Sequence, residues 1–302
     1  MAFNVGALTQ WVNDNSQELL TKAVLQAETI PYITVIPGIK YKERLKYLAT
    51  DALFQQGGCG FTGSGTTTLT EKDLLVTSLK VTEELCPEDL NSYSLQLSMK
   101  PGYNTNIPFE ALYAEQKVKE IQKGIELMIW GKQDHSATAF EGFQHLLNAD
   151  GDVHDYTTFT WCATGNTASD YLAAIYGMIN VLPAEIQSFE DLTLFVGHEV
   201  FRKIVQSLVI ANLYHIDVTN NNGMQAFMFP GTNVKLVPVS GLNGQCVVVL
   251  GPASNFIYAT DLQGEEDKLK VWWSEDYQIV RMVCNWKSGV EYYFGDYIVY
   301  GH

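Results

Sequence analysis

The sequence predicts an α+β fold in which one long amphipathic helix lies against a largely antiparallel sheet, and three stretches lead there. Ile107 to Gly131 places small or apolar residues at Ala111, Ala114, Val118, Ile121, Ile125 and Met128, steps of three and four that gather on one face of a helix. Residues 31 to 97 read as two strand-forming arms around a glycine-rich tip, and residues 269 to 302 as short β-prone runs separated by turn residues.

Taken in order, residues 1 to 30 form an N-terminal arm and a helix. Asn15 or Ser16 is positioned to cap it, and Leu19, Leu20, Ala23, Val24 and Ala27 supply a thin apolar face that needs a surface to dock on. The arms that follow, YITVIPGIKYKERLKYL and LTEKDLLVTSLKVTEELCPEDL, carry Lys40, Lys42, Glu43, Arg44, Lys46, Glu71, Lys72, Asp73 and Lys80, too much charge for burial on both faces. Between them Gly57, Gly58, Gly60, Gly63 and Gly65, with Phe61 among them, make a flexible tip. A projecting hairpin is expected, and a long solvated hairpin is marginal unless it lies across another surface.

The long helix is expected to start with Asn106 as N-cap, Pro108 in its first turn and Glu110 at the positive end of its dipole. Gly131 would close it in a left-handed conformation. Its roughly 22 residues would span about 33 Å, with Val118, Ile121, Ile125 and Met128 as the seam for the sheet. A short helix is expected over Ser136 to Leu147, and another, capped by Thr167, over ASDYLAAIYGMINVLP. The strand LTLFVG at 192 to 197, the helix HEVFRKIVQSLVIAN and the strands FMFP, VKLVPVSG and QCVVVLG complete a mixed α/β insert between about 150 and 250. The end reads as a three-stranded meander, turning at Glu275 and Asp276 and again at Lys287, Ser288 and Gly289.

Bulk properties limit the function classes. The chain has 302 residues, 46% of them hydrophobic, enough for a large core. Its 34 acidic and 19 basic residues give a net charge of −15, which argues against direct nucleic-acid or anionic-membrane binding. The five cysteines, Cys59, Cys86, Cys162, Cys246 and Cys284, are odd in number, include no C-x-x-C pair and accompany no glycosylation sequon, so reduced thiols and no disulfide are expected. No signal-like N-terminus and no run of about 18 apolar residues is present, so no membrane span is expected.

Motifs for chemistry are weak. Gly58-Cys59-Gly60-Phe61-Thr62-Gly63 fits G-x-G-x-x-G, but SGTTTLT follows where a phosphate-binding helix should begin. His198-Glu199 opens like a zinc-protease helix, yet Arg202 stands where the second histidine belongs. Cys162 with His154 and Asp155 is a candidate thiol nucleophile with its base, weighed against a small buried cysteine beside Trp161. Cys59 and Cys86 could face each other across the hairpin base as packing residues. No cofactor, metal or catalytic residue is assigned. The many tyrosines, phenylalanines and tryptophans suit a subunit interface and a β core equally.

The order of elements, arm, hairpin, long helix, α/β insert and terminal strands, resembles the Hong Kong 97-like major capsid proteins of tailed bacteriophages. ELLTKAVLQAET, GGCGFTGSGTTTLTEKDLLVTSLKVTEELCPEDL, IPFEALYAEQKVKEIQKGIELMIWGK and VVLGPASNFIYATDL carry the likeness, which covers nearly the whole chain. The resemblance implies an N-terminal arm at 1–30, an extended loop at 31–101 and a peripheral domain with its spine helix at 102–149. It further implies an axial domain at 150–250 and a return to the peripheral sheet at 251–302. It implies hairpin-tip contacts with neighbouring subunits through Gly57, Gly58, Gly60, Phe61, Gly63 and Gly65. Its partners would be further copies of itself in hexamers and pentamers, with scaffolding, portal and decoration proteins, around DNA held without sequence-specific binding. No cross-linking Lys–Asn pair is legible, and no scaffolding or protease segment stands out at the N-terminus. Two alternatives stay open: an encapsulin-type nanocompartment shell, and a cysteine-dependent hydrolase using Cys162.

Overall fold

A computed structural model describes residues 19, 22, 24–50, 67–86, 109–136, 139–211, 227–261 and 269–302. Leu19, Lys22, Val24 and Leu25 are helical, and Leu19, Val24 and Ala27 are buried, so this segment docks on the chain's own core. After a 3₁₀ turn, β1 (Thr34–Pro37) leads to β2 (Lys42–Thr50) and β3 (Thr67–Leu75), which pair antiparallel from Lys42↔Leu75 out to Thr50↔Thr67 as a two-stranded sheet of their own. One face of this hairpin is a charge ladder. Lys42 lies 2.5 Å from Asp73, Arg44 2.9 Å from Glu71 and Lys46 3.7 Å from Glu71. Half-exposed pairs of this kind each contribute less than about 1 kcal/mol, so they set register more than stability. The other face is apolar at its root, where Leu45 and Leu74 pack on Ile39, Val76, Ile257 and Ala259.

After Val76 the chain passes directly into β4 (Thr77–Leu85). The long helix, α1 (Phe109–Ile129), is the expected one. Ile125 is fully buried, while Val118, Ile121 and Met128 lie half-buried along the same core. Asn106 and Pro108 fall outside the described residues. Gly131 does not end α1 as expected: among the described residues the left-handed glycines are Gly38, Gly231 and Gly244. Instead the Gln133 amide donates to the Met128 carbonyl at 3.1 Å and covers the space a side chain on residue 131 would need.

Helix α2 (Phe143–Ala149) is shorter than predicted, for a related reason. A Cβ on Gly142 would stand 2.3 Å from the Gly131 carbonyl oxygen, and Gly142 is extended to fit there. The segment before it is therefore not helical, and Ser136 bridges to Ala139. Next come β5 (His154–Tyr156) and α3 (Ala168–Val181), whose capping box pairs the Thr167 N–H with the Asp170 carboxylate at 2.7 Å. These hydrogen bonds hold the Asp170 carboxyl below its usual range.

β6 (Leu192–Gly197), α4 (His198–Ile210), β7 (Phe227–Met228), β8 (Lys235–Val239), β9 (Val248–Pro252), β10 (Phe256–Thr260), β11 (Leu269–Ser274), β12 (Ile279–Tyr292) and β13 (Val299–Gly301) complete the chain. One sheet runs β5-β13-β9-β6-β8-β7. Leu194, Val196, Val248, Leu250 and Val299 face α3 and α4 on one side of it. Phe195, Val249 and Tyr300, the alternating residues, face the core shared with α1 and α2. Coverage on both faces is why every residue of β6 is apolar or small and buried.

The other sheet is centred on β12. Residues 280–284 pair at once with β4 and β11, and Ser288 pairs at once with Thr77 of β4 and Thr260 of β10. β10 and β11 therefore share one flank of β12, with β4 on the other, while β1 joins β10 in parallel.

The terminal meander departs from expectation twice. Lys287, Ser288 and Gly289 are not a turn, since β12 runs straight through them. Gly289 is required because a Cβ there would stand 2.0 Å from the carbonyl oxygen of Leu75, where the hairpin root crosses the sheet. And β13 leaves this sheet, lying between β5 and β9 in the other one. Gly289→Ala is expected to destabilise the fold by about 2 kcal/mol or more, because the obstacle is backbone on both sides. The urea midpoint checks this, and a change below about 0.5 kcal/mol would contradict the close approach.

Candidate assembly surfaces

The catalytic alternative is overturned by covalent structure. Cys162 is bonded to Cys246 across a sequence separation of 84 residues, against the expectation of reduced thiols and no disulfide. The physical reason is topological. β5 runs parallel to β13 and β9 antiparallel, so Tyr156 at the end of β5 and Val248 at the start of β9 both pair with Gly301. Cys162 follows the first of these closely and Cys246 precedes the second, so distant cysteines reach the same end of one sheet. With its sulfur in that bond, Cys162 is no nucleophile beside His154 and Asp155. Cys86 is exposed, Cys284 is a buried core residue, and Cys59 lies outside the described residues. His198 is not in a metal set: it opens α4 with its Nε2 3.6 Å from Glu28.

What the molecule offers instead is surface. The predicted tip contacts, Gly57, Gly58, Gly60, Phe61, Gly63 and Gly65, lie outside the described residues, but the arms leading to them are fixed at their root. Lys72 on β3 stands 3.1 Å from Glu291 and 3.5 Å from Asp150, with its ammonium 3.5 Å above the Tyr292 ring. The Tyr292 hydroxyl donates to Asp150 at 2.7 Å. Burial raises the Glu291 carboxyl above its usual range against the pull of Lys72. Burial also acts on Asp150, but the hydrogen bonds from Tyr292 and the Asp152 N–H outweigh it and keep that carboxyl low. Tyr47 adds an edge-on contact with Phe294, ring centroids 4.6 Å apart.

Farther out the hairpin is bare. Leu48 and Leu69 oppose each other across the strands at 61% and 58% exposure. A second apolar area, Trp272, Trp273 and Tyr277, surrounds the turn between β11 and β12, with the Arg281 guanidinium 4.6 Å above the Tyr277 ring. A groove of about 410 Å³ separates α1 from β4 and β12, lined by Val81, Ile121, Gly124, Ile125, Met128 and Trp286 among others. Lys117 spans it to Glu83 at 2.6 Å. Three of the four helix residues singled out from the sequence, Ile121, Ile125 and Met128, line this groove, and Val118 packs at the edge of the same core. Sequence reasoning missed the groove, the Cys162–Cys246 bond and the buried carboxyl of Glu126; of the three only the pair of cysteines left a trace in composition.

No protein-family profile and no curated protein matches the sequence. Solved structures do. The capsid of Myoviridae phage XM1 is 15% identical, with a TM-score of 0.57 over 93% of this chain and 90% of that one. The procapsid of satellite phage P4 with its size determination (Sid) protein is 10% identical, with a TM-score of 0.57 over 95% and 98%. The virus-like particle from Pyrococcus furiosus is 9% identical, with a TM-score of 0.55 over 96% and 98%. What the chain shares with them is architecture: it has the Hong Kong 97-like capsid fold, α+β, with its hairpin, long helix and two sheets. Among the described residues no helix is long and apolar enough to cross a membrane.

Proposed function

We propose that this chain is a major capsid protein, a structural subunit that self-assembles through hexamers and pentamers into the icosahedral shell of a tailed phage around double-stranded DNA. The observation that carries the reading is the likeness of fold, which runs over nine-tenths or more of both chains in the three structures named above. The β2–β3 hairpin serves as the extended loop, whose tip glycines and Phe61 touch a neighbouring subunit, while β1 and β4 at its root lie in the sheet of β12. The α1 unit with the β12 sheet serves as the peripheral domain. The β6 sheet, closed by β13, serves as the axial domain at the capsomer centre. An excess of acid suits a container wall that must not clamp its DNA, and screening within about 10 Å still lets acidic subunits pack. Scaffolding, portal and decoration proteins are the further partners, the virion is the location, and assembly takes place in the host cytoplasm.

Sedimentation and electron microscopy of the purified protein test this: particles of megadalton mass are expected, and a monomer at every concentration would overturn it. Copurifying DNA supports the capsid, whereas a protein cargo would move the assignment to a nanocompartment. Deleting residues 57–65 is expected to leave a folded subunit that forms no shells, because the exposed Leu48–Leu69 arm then has no grip on its neighbour. Normal shells from that variant would remove the hairpin from the mechanism.

A further inference from the structure

The end of the amino-terminal helical segment, the last turns of α1 and the 3₁₀ turn Ser240–Leu242 after β8 meet at one point, and what they enclose is a carboxyl group. Glu126, on α1, is 1% exposed. One of its oxygens accepts the Thr29 N–H at 3.0 Å and the other accepts the Thr29 hydroxyl, while the Gly241 N–H approaches from the turn. The Thr29 hydroxyl oxygen in turn accepts the Trp130 indole N–H at 2.7 Å. A second glutamate ties the amino-terminal segment to the same turn and to α4 from outside: Glu28 accepts the Ser240 N–H at 2.7 Å and stands 3.6 Å from His198 at the start of α4. The fit is close. A Cβ on Gly241 would stand 2.4 Å from the Glu126 carbonyl oxygen and 2.6 Å from the Trp130 ring.

We propose that this joint is a proton-operated latch: with a proton on Glu126 the amino-terminal segment and the Ser240–Leu242 turn are held against α1, and loss of that proton eases both away. The groups facing Glu126 are donors and one more acid. Glu28 comes from the amino-terminal segment, His198 lies behind Glu28 on α4, and the turn contributes only its backbone.

Closing the joint takes the carboxyl out of water, which penalises the charged form far more than the neutral one. Burial, helped by Glu28, pushes Glu126 up from its ordinary 4.5 to about 7, while the hydrogen bonds from Thr29 and Gly241 pull the other way. In the opened joint the group regains water and its ordinary affinity for protons. The closed form thus binds a proton in a pH range where the open form does not. Closure is favoured below the ordinary value and loses that advantage as pH rises through about 7. From pH 8 to pH 5 the ratio of closed to open rises on the order of 70-fold. His198 stands 3.6 Å from Glu28 behind the joint, so the test must isolate Glu126. The latch lies within one subunit and does not depend on the shell reading.

Hydrogen–deuterium exchange of the full-length protein, corrected for the intrinsic pH dependence of exchange, reads the joint in peptides covering residues 24–32 and 238–243. Protection in these peptides is expected to fall tens of fold between pH 5.5 and 8.5. In Glu126→Gln, whose amide stays neutral, the pH 5.5 protection should persist at pH 8.5. Equal profiles for the two proteins, or a flat profile for the parent, would overturn the latch. Thr29→Val provides a second arm should the glutamine variant not fold. It removes a hydrogen bond that favours the charged form, so the midpoint of the protection change should move to higher pH. An unmoved midpoint in that variant overturns the proposal as well.

Discussion

Replacing Trp130 with alanine is expected to lower the free energy of unfolding by about 4 kcal/mol, the middle of the range for a buried aromatic truncation. The indole is fully buried and stands at the centre of an aromatic group drawn from α2 and both large sheets. Its ring lies 5.3 Å from Phe143 of α2 and 5.2 Å from Phe195 of β6. Phe256 of β10 closes the group, 5.3 Å from Phe143 and 5.6 Å from Phe195. Two of these rings belong to different sheets, so a cavity at residue 130 opens the seam where the two sheets share a core. Removal also takes the indole donor from the Thr29 hydroxyl, which keeps its bond to Glu126. Trp130→Phe keeps most of the ring and loses the N–H, and should cost about half as much. Urea unfolding checks both, with an unchanged slope and a lowered midpoint. An alanine variant no less stable than the phenylalanine variant would mean that Trp130 does not fill the seam.

The elements that could be read from the residues are those whose cause is local. The stripe Val118, Ile121, Ile125 and Met128 comes from the helical period, so α1 emerges within two residues of its expected ends. The apolar run Leu192–Gly197 announces a strand, and Thr167 announces a helix start. Lys42, Arg44 and Lys46 facing Glu71 and Asp73 betray a solvated hairpin. What could not be read has its cause elsewhere in space. Gly289 carries the same composition signal as a turn glycine, but it answers to the Leu75 carbonyl, more than two hundred positions earlier. Gly131 and Gly142 answer to Gln133 and to each other. Glu126 reads as solvated helix surface until Thr29 and Gly241 cover it. β13 belongs to the sheet of β5 and β9 because of pairing partners that a run of three residues does not specify. The fold was legible as an order of elements, whereas contacts with a second copy are not encoded in any single local pattern.

Opening the Cys162–Cys246 bond is expected to lower the stability of the subunit by about 3 kcal/mol. The bond spans 84 residues of sequence, holding α3, β6, α4, β7 and β8 between its ends. In the unfolded chain a closed loop of that size removes about 4.6 kcal/mol of conformational entropy by the loop-closure estimate, and native relaxation usually returns part of it. The loss should concentrate in the β6 sheet, because Trp161, next to Cys162, is fully buried among Tyr171, Ile175 and Val299 on the α3 side of that sheet. A Cys162→Ser, Cys246→Ser double variant compared with the oxidised parent in guanidinium measures the difference, and hydrogen exchange in peptides covering residues 192–197 and 248–252 locates it. Alkylation offers an independent reading. In the native protein without reductant Cys86 should take up iodoacetamide, while Cys162 and Cys246 become reactive only after reduction and unfolding. Ready alkylation of Cys162 in the untreated protein would contradict the bond, and with it the reason for setting aside a thiol nucleophile at that position.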